Sequence, residues 1–292
     1  MEHWIISITV ATLLYGVMNF LFKVAANQGL NANRLVTLVG ASVSLMALVI
    51  LLLQHTQAWT LFTRTVCFYA LLNGTFFGLG SLAKYAALKR VPTAVVFPLN
   101  RLNAVLVMLV GVVVFHERPR PLQYVGIVAG LGVLVLIALE RRPRHQRRLY
   151  SAGILLALLS AIFTTVSMTV GKLLAETGQD RLAYICVSYA LVFGWTLGIS
   201  HMDRHTRGIF TRRPSSQEWL FGIGIGILNL AGYFMVLQAF GSGPISLSQA
   251  IFSSSIIIPI LLAALIYRER LTPLRIAAVA LAMLAVILIS WQ

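Results

Sequence analysis

Ten stretches of this sequence are long, apolar and almost free of charge, and no other feature limits the fold so sharply. A helix needs about 20 mostly apolar residues to cross the hydrocarbon core of a bilayer. Runs of that kind fall at 4–26, 34–53, 66–88, 94–115, 121–140, 150–174, 183–200, 218–240, 244–266 and 273–291. Lipid offers the backbone no hydrogen bonds, so each run must satisfy its own as a helix. The expected fold class is an all-α integral membrane protein with ten transmembrane helices. The segments between the runs are too short for an extramembrane domain. With 59% hydrophobic and 11% charged residues, the chain lacks the material for a water-facing surface, which takes roughly 25–35% charged residues. The first run has no basic leader and passes straight into the second, so it reads as a retained helix and not a cleaved signal peptide. Cys67 and Cys186 fall at or inside runs with no metal or disulfide spacing and read as packing residues. No cofactor or metal is expected.

The net charge of +15 would suggest a nucleic-acid partner in a soluble chain. Here the cations cluster between runs, which makes them a topology signal, and no nucleic-acid partner is expected. Segments following the odd-numbered runs hold 14 Lys and Arg residues, five of them in the RRPRHQRR linker, against 4 following the even-numbered runs. The positive-inside rule then places the linker in the cytoplasm and both termini outside.

The sequence also repeats. A shift of 152 places Pro92 on Pro244 and HERPRPL at 116–122 on RERLTPL at 268–274, while a shift of 149 places Lys23 of KVAANQG on Lys172 of KLLAETG. This divides the chain into a first five-helix half at 1–140, a basic linker at 141–149 and a second half at 150–292. Five is odd, so the second half enters the membrane in the opposite sense. Inverted repeats of this kind underlie alternating access, with the site at the interface of the halves. The repeated ER turn has a scaffold explanation: Pro121 and Pro273 suit a first helical turn, and Glu117 and Glu269 can pair with neighbouring arginines.

These features together resemble the EamA family of the drug/metabolite transporter superfamily. They are the five-helix halves, a lysine near the end of the first helix of each, and a Pro-bearing fourth helix running into an ER turn, best seen at Pro259 and YRERLTPL. The first half departs from the pattern at PLNRLN, residues 98–103. The resemblance covers nearly the whole chain and implies a multi-pass transporter, not an enzyme, in a cell membrane such as the bacterial inner membrane. Members export amino acids, other metabolites or drugs, and relatives carry nucleotide sugars. The resemblance also implies termini in the cytoplasm, opposite to the charge count.

Candidate substrate-binding residues come from polar groups inside the runs. Arg101 lies about seven residues into the fourth run, roughly 10 Å deep at ~1.5 Å per residue. An arginine at that depth needs a water-filled cavity, a partner or a path to the headgroups. Asn100 and Asn103 are three apart and share a face near it. The same spacing selects Tyr15, Asn19, Phe22 and Lys23 in the first run and Asn73, Phe77 and Lys84 in the third. It also selects Thr165, Thr169 and Lys172 in the sixth, Asn229 and Tyr233 in the eighth, and Ser246, Gln249 and Ser253 in the ninth. Any one of these could be an ordinary interhelical hydrogen bond; together they suggest a central polar cavity. Lys23, Lys84 and Lys172 stand near helix ends, where they are expected to reach water.

Every Asp and Glu lies near an end or in a connection. A cavity with cations and no acid favours a carboxylate, phosphate or sulfate over a purely cationic drug. The expected function is secondary transport of a small anionic or zwitterionic metabolite, resembling an amino acid or organic acid. A broad-specificity exporter and a flippase of a lipid-linked anionic substrate stand as alternatives. No symmetric filter supports a channel, and no acid, metal or nucleophile constellation supports an enzyme. Membrane lipids and the solute are the expected partners. One chain holds both halves and is expected to suffice as a monomer, with a weak dimer as the alternative.

Overall fold

The computed structural model describes residues 3–88, 90–91, 93–100, 102–116, 120–122, 124–126, 128–129, 132, 147–202, 215–267 and 273–290. Among the described residues there is no strand. The helices are α1 (His3–Asn27), α2 (Ala32–Gln54), α3 (Arg64–Leu88), α4 (Thr93–Asn100), α5 (Leu102–Val114), α6 (Arg147–Glu176), α7 (Arg181–Met202), α8 (Ser216–Ser242), α9 (Ile245–Ser253), α10 (Ile257–Tyr267) and α11 (Pro273–Ser290). Six of them, α1, α2, α3, α6, α7 and α8, are long and apolar enough to cross a membrane. The protein is an all-α, multi-pass membrane protein. Arg101, Glu117, Glu269 and the linker residues 141–146 lie outside the described residues.

The apolar runs and the helices agree within a few residues for the first three and for the sixth to eighth. The ninth run differs from expectation. It was expected as one helix over 244–266, but a 3-10 turn at Ser254–Ile256 separates α9 from α10. Pro259 supplies the reason: it has no N–H for the carbonyl four residues back, at Ser255, and its ring crowds that carbonyl. Ser254 adds to the interruption, since its hydroxyl donates to the Ile251 carbonyl at 2.7 Å and offers that carbonyl a partner outside the α-ladder.

Local capping residues set the helix ends. After α1 the chain makes a Schellman turn: the Leu30 N–H donates to the Ala25 carbonyl and the Gly29 N–H to the Ala26 carbonyl, both at 3.1 Å, with Gly29 at φ 73°. Asn31 then caps α2, accepting the N–H groups of Asn33 at 3.0 Å and Arg34 at 3.2 Å. Asp180 does the same for α7, accepting the Ala183 N–H at 2.7 Å. A reciprocal capping box of Ser215 and Glu218 opens α8.

The core is largely apolar, but the outer surface is apolar as well, unlike that of a water-soluble protein. Leu53, Val113, Leu220 and Leu265 are largely exposed, whereas Asn19, Asn73, Asn103 and Asn229 are buried. Lipid is as apolar as leucine, so the outer surface needs no polar coat and the hydrogen-bonding groups gather inside. In that interior α1 packs along α8 and α3 along α6, α2 lies against α7, and α3 also meets α7 as α2 meets α8. Glycine permits close approach at several places, including these two on α8. A Cβ on Gly222 would stand 2.6 Å from the Leu38 Cβ, and one on Gly232 would stand 2.8 Å from the Tyr15 ring.

Candidate solute cavity

Where these helices meet they surround a cavity of about 90 Å³ with polar groups in its wall, room for several waters or a small solute. The first half contributes Tyr15, Asn19 and Phe22 from α1, Phe77, Ser81 and Lys84 from α3, and Asn100 and Asn103 from α4 and α5. The second half contributes Ser160, Thr164 and Ser167 from α6, Tyr189 from α7, Asn229 and Tyr233 from α8, and Phe252 from α9. The cavity therefore lies between the two halves of the sequence.

Its most ordered part is a cluster of tyrosines and asparagines that are nearly all buried. The Tyr189 hydroxyl donates to Asn229 Oδ1, and the Tyr15 hydroxyl points at the same oxygen from 3.5 Å. The Tyr233 hydroxyl donates to Asn73 Oδ1 at 3.1 Å and the Ser167 hydroxyl donates to it as well. Tyr184 and Tyr233 hydroxyls stand 3.4 Å apart. Ring contacts fix the phenols sideways: Tyr15 lies edge-on to Phe252 with centroids 4.8 Å apart, and Tyr189 meets Phe77 at 5.4 Å. Such a network is rigid because each buried polar group would be costly to leave unpaired.

Among the described lining residues the charged side chain is Lys84. Its Nζ lies 5.8 Å from the Phe22 ring centroid and 6.0 Å from that of Tyr85, within the range of a cation–π contact. No Asp or Glu lines the cavity among the described residues.

The sequence-derived candidates separate into groups. Tyr15, Asn19, Lys84, Asn100, Asn103, Asn229 and Tyr233 line the cavity, and Asn73 stands behind it, bonded to two lining side chains. Gln249 is buried but does not line it; Arg101 and the Ser253 side chain lie outside the described residues.

Two lysines differ from expectation: Lys23 and Lys172 do not reach water but are 4% and 8% exposed. Lys23 Nζ lies 5.9 Å from the Tyr267 ring centroid. Lys172 Nζ donates to the carbonyls of Phe240 at 2.8 Å and Gly243 at 3.1 Å, where α8 ends, and pairs with Glu176 at 3.0 Å. That ammonium caps a helix C-terminus, where the macrodipole favours a cation. The α6 face is also different from the one the spacing suggested. Thr165 and Thr169 donate back to their own helix, at the Ala161 and Thr165 carbonyls, both at 2.9 Å, and the cavity is met by Ser160, Thr164 and Ser167 instead.

Sequence spacing missed Tyr189, the donor to Asn229. In the run YICVSYA at 184–190 only Tyr184 and Ser188 are four apart; Tyr189 falls off that row, and the apolar character of its ring hides the hydroxyl.

A long apolar bundle with a polar cavity between its halves is the build of a membrane transporter, and comparison with known proteins gives the family. The profile of the EamA-like transporter family matches residues 3–139 and matches again at 151–291. This chain belongs to that family, and like its members it is a transporter and not an enzyme. A solved crystal structure resembles it in fold, with a TM-score of 0.71 over 97% of this chain and 94% of that chain at 18% identity. No curated protein matches the chain by sequence.

Proposed function

We propose that this protein is a secondary transporter for a small anionic or zwitterionic metabolite, working by alternating access between an inverted pair of five-helix halves at 1–140 and 150–292. The observation that carries the substrate class is the cavity itself: a lysine, four tyrosine or asparagine hydrogen-bonding groups in one buried cluster, and no carboxylate among its described lining. A carboxylate, phosphate or sulfate fits that balance, and a purely cationic solute does not.

The alternating-access part draws on the packing. Exchanging the halves turns the α1–α8 pair into the α6–α3 pair, leaves α2–α7 unchanged, and turns α3–α7 into α8–α2. The family profile also matches once per half. A single chain thereby holds both walls of the cavity, which supports a functional monomer.

The flippase alternative draws on a second feature, an open apolar groove of about 590 Å³ lined by Leu45, Met46 and Val49 of α2 and Ile227, Phe234 and Met235 of α8. Its lining shares no residue with the polar cavity, so the polar-solute reading stands first.

A thermal-stability screen of the purified protein in detergent tests the proposal, using amino acids, organic acids, nucleotide sugars, lipid phosphates and lipophilic cations beside the Lys84→Met and Arg101→Ala variants. Stabilisation of the parent by anionic or zwitterionic solutes, weakened in the variants, is the expected result. Equal stabilisation of parent and variants by lipophilic cations overturns the proposal in favour of a broad exporter.

A further inference from the structure

The apolar groove between α2 and α8 runs toward a charge. On α8 it is lined by the row Ile227, Ala231 and Phe234, and at helical spacing that row continues through Gln238 to Gly241. A Cβ on Gly241 would stand 3.0 Å from Arg181 Nη2, so the guanidinium lies over the end of the row, where Gly241 is exposed. Arg181 directly precedes Leu182, which lines the groove. Among the described residues no acid pairs with this arginine: Glu176 is bonded to Lys172 at 3.0 Å, and Asp180 Oδ1 accepts the Ala183 N–H at 2.7 Å. The level is that of the headgroups. The Thr63 hydroxyl donates to Gln179 at 2.7 Å, tying the connection that carries the exposed Trp59 to the start of α7, and tryptophan favours the membrane–water interface. From Gly241 to Ile227 is 14 residues, or ~21 Å of helix at ~1.5 Å per residue. One leaflet offers roughly 15 Å of acyl chain beneath roughly 5–7 Å of headgroup.

We propose that this groove is a binding site for one anionic phospholipid, with its phosphate on Arg181 and an acyl chain laid between α2 and α8. A guanidinium presents a phosphate with a planar fork of N–H donors. Below it the groove walls include Met46 and Met235, unbranched side chains that adapt to an irregular apolar guest. A zwitterionic headgroup brings a second cation toward the arginine, so a lipid of net negative charge is preferred. A second copy of the chain fits less well, because its apolar helix would cover the guanidinium with nothing to pair it. The groove shares no lining residue with the polar cavity. Helices α2 and α8 belong to different halves of the sequence, so the bound lipid bridges the halves without touching the solute.

Native mass spectrometry of the full chain released from detergent, titrated with dioleoyl phosphatidylglycerol or dioleoyl phosphatidylcholine, tests this. The parent is expected to bind one phosphatidylglycerol about fivefold or more tighter than phosphatidylcholine, as for one arginine meeting an anionic headgroup. Arg181→Gln is expected to bring that ratio near one. Ala231→Trp, which fills the groove with a ring, is expected to weaken both lipids alike, and Val49→Trp on the facing wall serves as the reading if Ala231→Trp does not fold. Equal binding of the two lipids by the parent overturns the proposal and needs no variant. An unchanged ratio in Arg181→Gln overturns it as well, as do unchanged affinities in the tryptophan variants. A parent dimer that either tryptophan variant dissolves overturns it in favour of a second copy seated in the groove.

Discussion

Gly29 and Gly178 lie 149 positions apart in the sequence and adopt the same left-handed conformation, at φ 73° and 69°, one after the first helix of each half. Two residues beyond each, Asn31 and Asp180 cap the next helix through their side-chain oxygens, and six residues before each stands a buried lysine. A Cβ on either glycine would meet nothing within 4 Å, so substitution carries a conformational cost and no steric one. Gly29→Ala and Gly178→Ala are each expected to destabilise by about 1–2 kcal/mol, the usual penalty for a left-handed residue with a side chain. Thermal unfolding in detergent checks this, and similar losses are expected from the two variants. No loss from either would mean that the turns are free to rearrange.

The ion pair of Arg34 and Glu218 joins the starts of α2 and α8 at 3.1 Å, with side chains only 11% and 7% exposed. Glu218 also completes the Ser215 capping box. Glu218→Ala is expected to cost about 2–4 kcal/mol, because it removes both the carboxylate of the capping box and one partner of a largely buried guanidinium. The Arg34→Leu/Glu218→Leu double variant is expected to be less destabilised than Glu218→Ala, since no charge is left behind. Melting temperatures of both variants are the check, and a double variant worse than the single would reverse the argument.

Lys84 and Lys172 are alike in sequence setting, near the end of a helix, and different in role. Lys172 holds the carbonyls that end α8, so Lys172→Met is expected to lower stability by about 2 kcal/mol or more. Lys84 lines the cavity, so Lys84→Met is expected to weaken binding of anionic solutes by about tenfold, whatever it does to melting. The same two variants measured by unfolding and by ligand-induced stabilisation separate the roles. A Lys172 variant that melts like the parent would show that the helix end finds other partners.

Most of the helices were legible because the bilayer imposes a simple length and polarity rule, and six described helices follow it. The interruption between α9 and α10 was less legible, although Pro259 is visible in the sequence. Proline within an apolar run has several outcomes in a membrane, and here the Ser254 hydroxyl, bonded to the Ile251 carbonyl, favours the break. The cavity was legible where a residue has few other uses: an asparagine inside an apolar helix, as at positions 19, 73, 100, 103 and 229, nearly has to face the interior. Lysines and threonines have other uses. Thr165 and Thr169 satisfy themselves on their own helix, and Lys172 satisfies another helix's end, so spacing alone could not tell which face of α6 meets the solute. Tyr189 was hidden for the converse reason, since its ring is at home in an apolar run and only its hydroxyl carries the signal.

Orientation can be read with the cysteines the chain already has. Cys67 is exposed near the start of α3, and Cys186 is buried in α7. Helix α3 begins on the same side as α1, because two crossings separate their starts, and that side is the one with 4 basic residues in its connections against 14 on the other. The charge asymmetry therefore expects Cys67 to react with a membrane-impermeant maleimide in intact cells, with Cys67→Ser abolishing the signal. Labelling only after lysis would place both termini in the cytoplasm, as the family resemblance implies, and would mean that the basic linker lies outside. The buried Cys186 is expected to stay silent in both cases, and its labelling in intact cells would show that the α2–α7 interface, where Ser44 donates to the Cys186 carbonyl at 3.0 Å, opens during transport.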